Sequence, residues 1–348
     1  MSVSRAWHHA YDPQPRASVC GVLTIERMAP GDIDWGTLDA YADRVVFQTH
    51  EWLEFVAATQ DAEPVVAAVR DGGETVGAFT GLVVRRYGVR ILGSPFPGWT
   101  TSSMGFNLRE GVSRRAATEA LVEFAFGPLR CLHLELKDRV LTTEDVDGLG
   151  FASDPTVTFE VDLGGSEEEI LGRMTSACRR AIRKAEKSGV RIEEADGEGF
   201  ADEYHEQLVE VFAKQGLEPT YDVERVRALI RFLHPSGRLL LLRAVGPDGE
   251  RLATGIFPGM NGAAYFWGGA SRREGQILRP NEAIFWYAMR YWRERGVAVL
   301  DMGGGGDYKR KYGPVEYTVP WFRRSRFGVL ARARDVAASR IKGRLGQD

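Results

Sequence analysis

AAYFWGGAS, residues 263–271, begins the stretch on which the reading of the fold turns, and the stretch runs on to Gly313. The aromatic segment 263–267 reads as a strand ending at Gly268-Gly269-Ala270-Ser271. A polar loop follows, and then PNEAIFWYAMRYWRERG (280–296) reads as a helix. Proline and Glu282 in its first turn suit a helix start, where amides lack partners and carry partial positive charge. Gly296 closes it, and VAVLD (297–301) has the apolar continuity of a short buried strand. Four glycines, Gly303 to Gly306, then lead into DYKRKYG (307–313). Such a run brings backbone close to something, an anionic or acyl group, or else forms a surface turn with solvated lysines.

Outward from this stretch the chain alternates strands and helices. Helical spacing is expected at 34–42, 49–59 (with Thr49 as N-cap), 113–124, 200–215 and 223–233. Strands are expected at 64–69, 77–84, 89–92, 131–136 and 157–161, with a hairpin of 239–245 and 253–257 across Pro247-Asp248-Gly249. The loop after Leu92, SPFPGWTT, contains Trp99 and reads either as a groove wall or as a structural loop. Residues 166–189 read as one helix that starts on Glu167, Glu168 and Glu169 and becomes basic. Its Arg180, Arg183, Lys184 and Lys187 share a face, which is either a solvated ridge or a phosphate-binding one. Element order is alike in the two halves and hints at an internal duplication. The fold class expected is α/β, two mixed sheets flanked by helices.

Composition narrows the function classes. The 348 residues suffice for two domains. No apolar run reaches the roughly 18 residues that span a bilayer, and the N-terminal residues lack the apolar core of a secretory signal. Cys20, Cys131 and Cys178 are too scattered for a disulfide framework or a zinc site, and His8-His9 has no third ligand nearby, so no metal is expected. A cytoplasmic location follows as the expectation. Residues 1–165 carry 14 Lys/Arg against 23 Asp/Glu, and residues 166–348 carry 31 against 25. Phosphate-bearing ligands are therefore expected at the second half. A tail with Arg332, Arg334, Arg340 and Arg344 reads as an amphipathic helix packed on the body, with peripheral membrane or nucleic-acid contact as the alternative. The sequence has no Walker loop, HExxH, GxSxG or GxGxxG after an N-terminal strand. What remains is a site of aromatics, amides, backbone and lysines, suited to direct transfer between two bound substrates.

Five segments in order, CRRAIRKAEKSGV (178–190), YFWGGAS (265–271), PNEAIFWYAMRYWRERG, LDMGG (300–304) and DYKRKYG, together resemble the second domain of the FemABX peptidyltransferases, a branch of the GNAT acyltransferases. FQTHEWL (47–53) and the loop after Leu92 resemble the first. The resemblance spans roughly residues 22–325. It implies tandem GNAT-like domains, here 21–160 and 161–314, after a loose arm at 1–20 and before a segment at 315–348 that returns to the first domain. It implies an aminoacyl or other acyl group passed to an amine of a cell-envelope peptide precursor or related metabolite. The donor would be aminoacyl-tRNA or acyl-CoA, with no tightly bound cofactor. Tyr308-Lys309 matches the family's catalytic aromatic–Lys pair. Trp267, Ser271, Asn281, Asp301, Tyr312, Trp99, Arg179, Arg180 and Arg183 are the expected substrate contacts. The tRNA-associated helical hairpin of some members is missing. The acyl-CoA loop is matched only by Arg272-Arg273-Glu274-Gly275-Gln276-Ile277, whose last residue would obstruct a pyrophosphate. The remaining readings are a binding protein without chemistry and a nucleic-acid-binding protein.

Overall fold

The computed structural model of the chain describes residues 22–328, apart from Tyr87, Glu198 and Gln215. The histidine pair, Cys20 and the arginine-rich tail lie outside these residues. Fourteen strands are found among them: β1 (Leu23–Arg27), β2 (Glu63–Asp71), β3 (Glu74–Arg86), β4 (Val89–Ser94), β5 (Gly105–Leu108), β6 (His133–Leu136), β7 (Ala152–Asp162), β8 (Arg191–Glu194), β9 (Leu239–Val245), β10 (Arg251–Met260), β11 (Ala263–Tyr265), β12 (Gly268–Ser271), β13 (Val299–Asp301) and β14 (Val315–Ser325). The chain divides into two units. One combines Asp61–Thr156 with residues 22–34 and 319–328; the other combines Val157–Thr318 with Trp35–Gln60.

In the 61–156 unit the strand order is β1-β2-β3-β4-β6-β14, with β5 on β3. Neighbours run antiparallel except β4 and β6. The helix Arg114–Phe126 starts on Ser113, whose hydroxyl accepts from the Ala116 amide, and buries Ala117, Leu121, Phe124 and Ala125. These meet Val65, Phe79, Leu134 and Phe322 in a shared core. The C-terminal part of β14 pairs with β6 through Phe322–Ser325.

The 157–318 unit has the order β7-β13-β11-β10-β9-β8, with β12 on β10. Here too one pair, β11 and β13, runs parallel and the rest antiparallel. Both units are mixed sheets flanked by helices, as expected. The helix Pro280–Glu294 lays Ile284, Phe285, Ala288, Met289 and Trp292 on the sheet. Their i, i+4, i+8 spacing is a helical stripe, and full burial of each large side chain contributes about 1.5–3 kcal/mol.

Three expectations need correction. Residues 166–189 are two helices, Glu167–Arg173 and Ser176–Lys187, because Met174 is extended and Thr175 caps the second by accepting from the Cys178 amide. The aromatic strand does not continue through Trp267 but breaks after Tyr265. Trp35–Gln60 belongs with the 157–318 unit, not with residues 61–160. That placement follows from its contacts: Arg238 binds Asp39 at 2.6 Å and Glu51 at 2.7 Å, Asn261 donates to the Tyr41 and Arg44 carbonyls, and Phe47 lies 4.4 Å from the Tyr265 ring. Thr49 does cap the helix His50–Gln60, its hydroxyl accepting from the Trp52 amide at 3.3 Å.

Candidate active site

The break in the aromatic strand creates the site. β11 pairs with β13 as far as Tyr265, and the last rung is the Phe266 amide donating to the Asp301 carbonyl at 2.8 Å. The Trp267 amide then donates to Ile256 at 3.0 Å, and β12 continues along β10. β13 goes the other way, staying with β7 through the Met302 amide and the Phe159 carbonyl (2.8 Å). Two neighbouring strands therefore part at Phe266–Asp301, leaving a wedge between β12 and the Gly303–Gly306 loop. Among the described residues the outer edge of β12 carries no strand, so its amides and carbonyls can meet an extended ligand.

Asp301 braces one side of the wedge. Its Oδ1 accepts from the Gly303 amide at 2.7 Å and from the Thr158 hydroxyl. A Cβ on Gly304 would stand 2.6 Å from the Val157 carbonyl oxygen, so only glycine lets the loop lie this close to β7. Gly303, Gly305 and Gly306 adopt the left-handed backbone that side chains disfavour.

The loop delivers a short 3-10 helix, Asp307–Tyr312, not an extended segment. It turns Lys309 inward, where it is 7% exposed, while Tyr308 is 51% exposed. The Lys309 Nζ donates to the Gly304 carbonyl at 2.8 Å and to Gly303 at 3.4 Å, and lies 5.8 Å from the Tyr308 ring centre. Burial lowers the Lys309 pKa below the ordinary lysine value, and the Asp301 charge opposes that shift. An ammonium has three protons, so one remains for an oxygen in the wedge.

Behind Lys309 lies Tyr312, fully buried against Phe285 at 4.8 Å. Its hydroxyl has no hydrogen-bond partner among the described residues. Burial, then the Glu282 and Cys178 charges, raise its pKa far above the usual phenol value, so it is a neutral donor. Glu282 binds Lys311 at 2.8 Å, tying the 280–294 helix to the 3-10 helix. The Thr175 amide donates to the Lys311 carbonyl at 2.9 Å, tying in the basic helix as well. Burial pushes the Cys178 thiol up to about 11, which leaves it unsuited to nucleophilic attack at neutral pH. Among the described residues no group of three or more His, Cys, Asp or Glu is placed to hold a metal ion.

The expected residues divide. Asp301, Tyr308, Lys309 and Tyr312 belong to one segment around the wedge. Asn281 donates to the Ser271 hydroxyl at 3.1 Å, joining β12 to the helix start. Trp267 is buried, its Nε1 lacks a partner among the described residues, and its ring lies 5.1 Å from Tyr221. Arg179 is held inside the basic segment, its Nη1 donating to the Leu171, Gly172 and Met174 carbonyls. Arg180 and Arg183 are exposed and have no ion pair among the described residues. Trp99 belongs to the 61–156 unit and lies 4.9 Å from Phe96. Sequence reasoning missed Thr158 and took Glu282 only as a helix-starting charge. Thr158 carries no local signal, since it meets Asp301 through a register 143 residues apart.

A family model described as "Acetyltransferase (GNAT) domain" matches residues 172–312, which hold Asp301, the glycine loop, Tyr308, Lys309 and Tyr312 but not Val157, Thr158 and Phe159 of β7. The fold is that of the FemABX-like GNAT proteins. The crystal structure of FemX superposes with a TM-score of 0.71 at 16% identity, over 85% of this chain and 96% of that one. L-PGS from Bacillus licheniformis gives 0.52 at 12%, covering 82% and 95%. A tandem GNAT protein from the clavulanic acid biosynthesis pathway gives 0.51 at 15%, covering 87% and 98%. No curated protein matches. Residues 172–312 thus carry an acyltransferase domain of the GNAT type. No helix among the described residues is long and apolar enough to cross a membrane.

Proposed function

We propose that this FemABX-like GNAT acyltransferase passes an aminoacyl or other acyl group to the primary amine of a peptide-bearing or related small acceptor, in the cytoplasm. The observation that carries this reading is the wedge at Phe266–Asp301 with the buried Lys309 ammonium at its glycine loop. In the reaction the amine nitrogen attacks the ester carbonyl carbon, the C–N bond forms, and the C–O bond breaks to release an alcohol. Negative charge develops first on the carbonyl oxygen and then on the leaving oxygen. A fixed ammonium on a side chain that is itself buried stabilises both better than solvent would. The attacking nitrogen's proton passes to the leaving oxygen or to water. Tyr308 walls the ammonium, Asp301 fixes the loop that Lys309 binds, and Tyr312 offers a neutral donor from behind.

An aminoacyl ester on tRNA is the favoured donor. Gly275, in the segment that would cradle the pyrophosphate of acyl-CoA, is buried, and a Cβ there would stand 2.7 Å from Leu252. Ile277 of that segment is 68% exposed, and the helix begins only at Pro280, behind Arg279 in left-handed backbone. The exposed ridge of Arg180 and Arg183 suits the phosphates of a tRNA. Acyl-CoA is the second reading, since GNAT folds generally use it. Incubation with charged tRNAs, acyl-CoAs and a panel of amine acceptors, read by mass spectrometry of the acceptor, tests both. Transfer from an aminoacyl ester alone supports the first reading, and transfer from acyl-CoA alone supports the second. No transfer from any donor by folded protein would refute the proposal.

A further inference from the structure

A cavity of about 540 Å3 lies in the 61–156 unit, beside the turn that ends the helix Arg114–Phe126. Four arginines line it: Arg27, Arg85, Arg90 and Arg130. Two of them are fixed. Glu63 accepts from Arg27 at 2.7 Å and from Arg90 at 3.3 Å, and Arg90 Nε also donates to the Leu129 carbonyl at 3.1 Å. Burial alone would raise the Glu63 pKa, but the hydrogen bonds and charges of the two arginines outweigh it and hold the carboxyl below its usual value. The side chains of Arg85 and Arg130 are exposed and have no hydrogen-bond or ion-pair partner among the described residues. Glu26 also lines the cavity but faces Arg70 at 3.5 Å. Positive charge is therefore in excess.

A helix C-terminus should repel an anion, because its last carbonyls carry partial negative charge. Here those carbonyls are taken. Glu123, Phe124 and Ala125 accept from the amides of Gly127, Leu129 and Cys131 at 2.8–3.1 Å, and Phe126 accepts from the Arg326 guanidinium at 3.0 Å. The chain makes this turn with Arg130 at φ 52°, which is uncommon for a residue with a side chain. The remaining wall is apolar and includes Phe124 and Leu129, both buried. Guanidiniums around an apolar wall repel one another unless an anion joins them, and the volume is that of a small-molecule site.

We propose that this cavity binds a phosphate-bearing molecule with an apolar portion, the phosphate at Arg85 and Arg130 and the apolar part on Phe124 and Leu129. None of these residues belongs to the acyl-transfer site. The source is a soluble phosphorylated compound or the headgroup region of an anionic lipid. Phenyl phosphate is the probe, compared with inorganic phosphate by calorimetry on the full chain and on the double variant Arg85→Gln/Arg130→Gln. Phenyl phosphate should bind more tightly than inorganic phosphate. The double variant should weaken it by about tenfold or more with an unchanged melting temperature, and the difference should shrink at high salt. Lys309→Met should bind it as the parent does, so failure here is separable from failure of the acyl-transfer reading. Cosedimentation with phosphatidylglycerol vesicles that is lost in the double variant assigns the lipid source; phenyl phosphate binding without cosedimentation assigns the soluble one. Equal affinity in parent and double variant, no binding at millimolar phenyl phosphate, or loss of binding in Lys309→Met would overturn the proposal.

Discussion

Replacing Lys309 by methionine removes the ammonium and keeps most of the side chain's length. Lys309 has one short bond, to Gly304 at 2.8 Å, and a longer one to Gly303, which leaves one proton for the reacting oxygen. Loss of one positioned oxyanion donor costs about 2.7–4 kcal/mol, a fall in kcat of roughly 100- to 1,000-fold. The substrate KM should change little, because the interaction strengthens only as charge develops. The Gly304 carbonyl loses its partner, and an unsatisfied buried group costs about 1–3 kcal/mol; the Gly304 residue itself is exposed, so water can replace the bond and the low end applies. Burial lowers the Lys309 pKa, so the rate should fall as pH rises through a value below that of free lysine, and this limb should vanish in the variant. Stability carries the opposite sign. Between that lowered pKa and the ordinary one the unfolded chain binds more protons, so the parent should gain stability relative to the variant as pH rises through that window. The assay is single-turnover acyl transfer on protein whose fold is checked by urea unfolding. Turnover near that of the parent, measured where chemistry limits the rate, would remove Lys309 from the mechanism.

Other outcomes follow from the same geometry. Gly304→Ala should lower both stability and turnover, because its Cβ would meet the Val157 carbonyl, whereas Gly305→Asn should cost less stability than Gly305→Ala, since the position has open space and only its left-handed backbone, which asparagine adopts more readily than alanine, is strained. Unfolding midpoints of the three variants check this. Glu282→Gln should destabilise by about 1–2 kcal/mol, since the Lys311 partner is part-exposed and the carboxylate nearly buried, and urea titration reads it directly. Arg180→Ala/Arg183→Ala should weaken donor binding with little loss of stability, and the difference should narrow at high salt. Equal affinity across a salt series would make that helix face merely solvated.

The sequence made the helix Pro280–Glu294 and the short buried strand after it legible, because proline, Glu282 and Gly296 punctuate the chain and the apolar stripe is long, whereas Lys309 is singled out by the family resemblance alone. It did not make the wedge legible. Tyr265, Phe266 and Trp267 are equally good strand formers, so nothing local says that Tyr265 pairs with β13 while Trp267 pairs with β10; that choice is made by register across separate strands. The break at Met174 was hidden for a related reason, since Thr175 reads as a tolerated helix residue until its hydroxyl is seen to cap. Asp301 was legible as a candidate, but its partner Thr158 was not, because a hydroxyl at long sequence separation leaves no pattern. Arg179 looked like its basic neighbours; only the backbone turn at residues 171–174 distinguishes it.

The crossing of Trp35–Gln60 into the 157–318 unit has a consequence for how the chain is made. Trp52 and Phe47 are fully buried, yet Arg238, Asn261 and Tyr265, which hold their segment, emerge about 200 residues later. At about 5–20 residues per second, the segment leaves the ribosome roughly 10–40 s before those partners do. Through that interval its tryptophan and phenylalanine must be shielded by something other than their final neighbours. Ordered growth from the N-terminus therefore cannot complete either unit in turn, and a nascent chain halted near residue 160 should be retained by chaperones that bind exposed apolar segments.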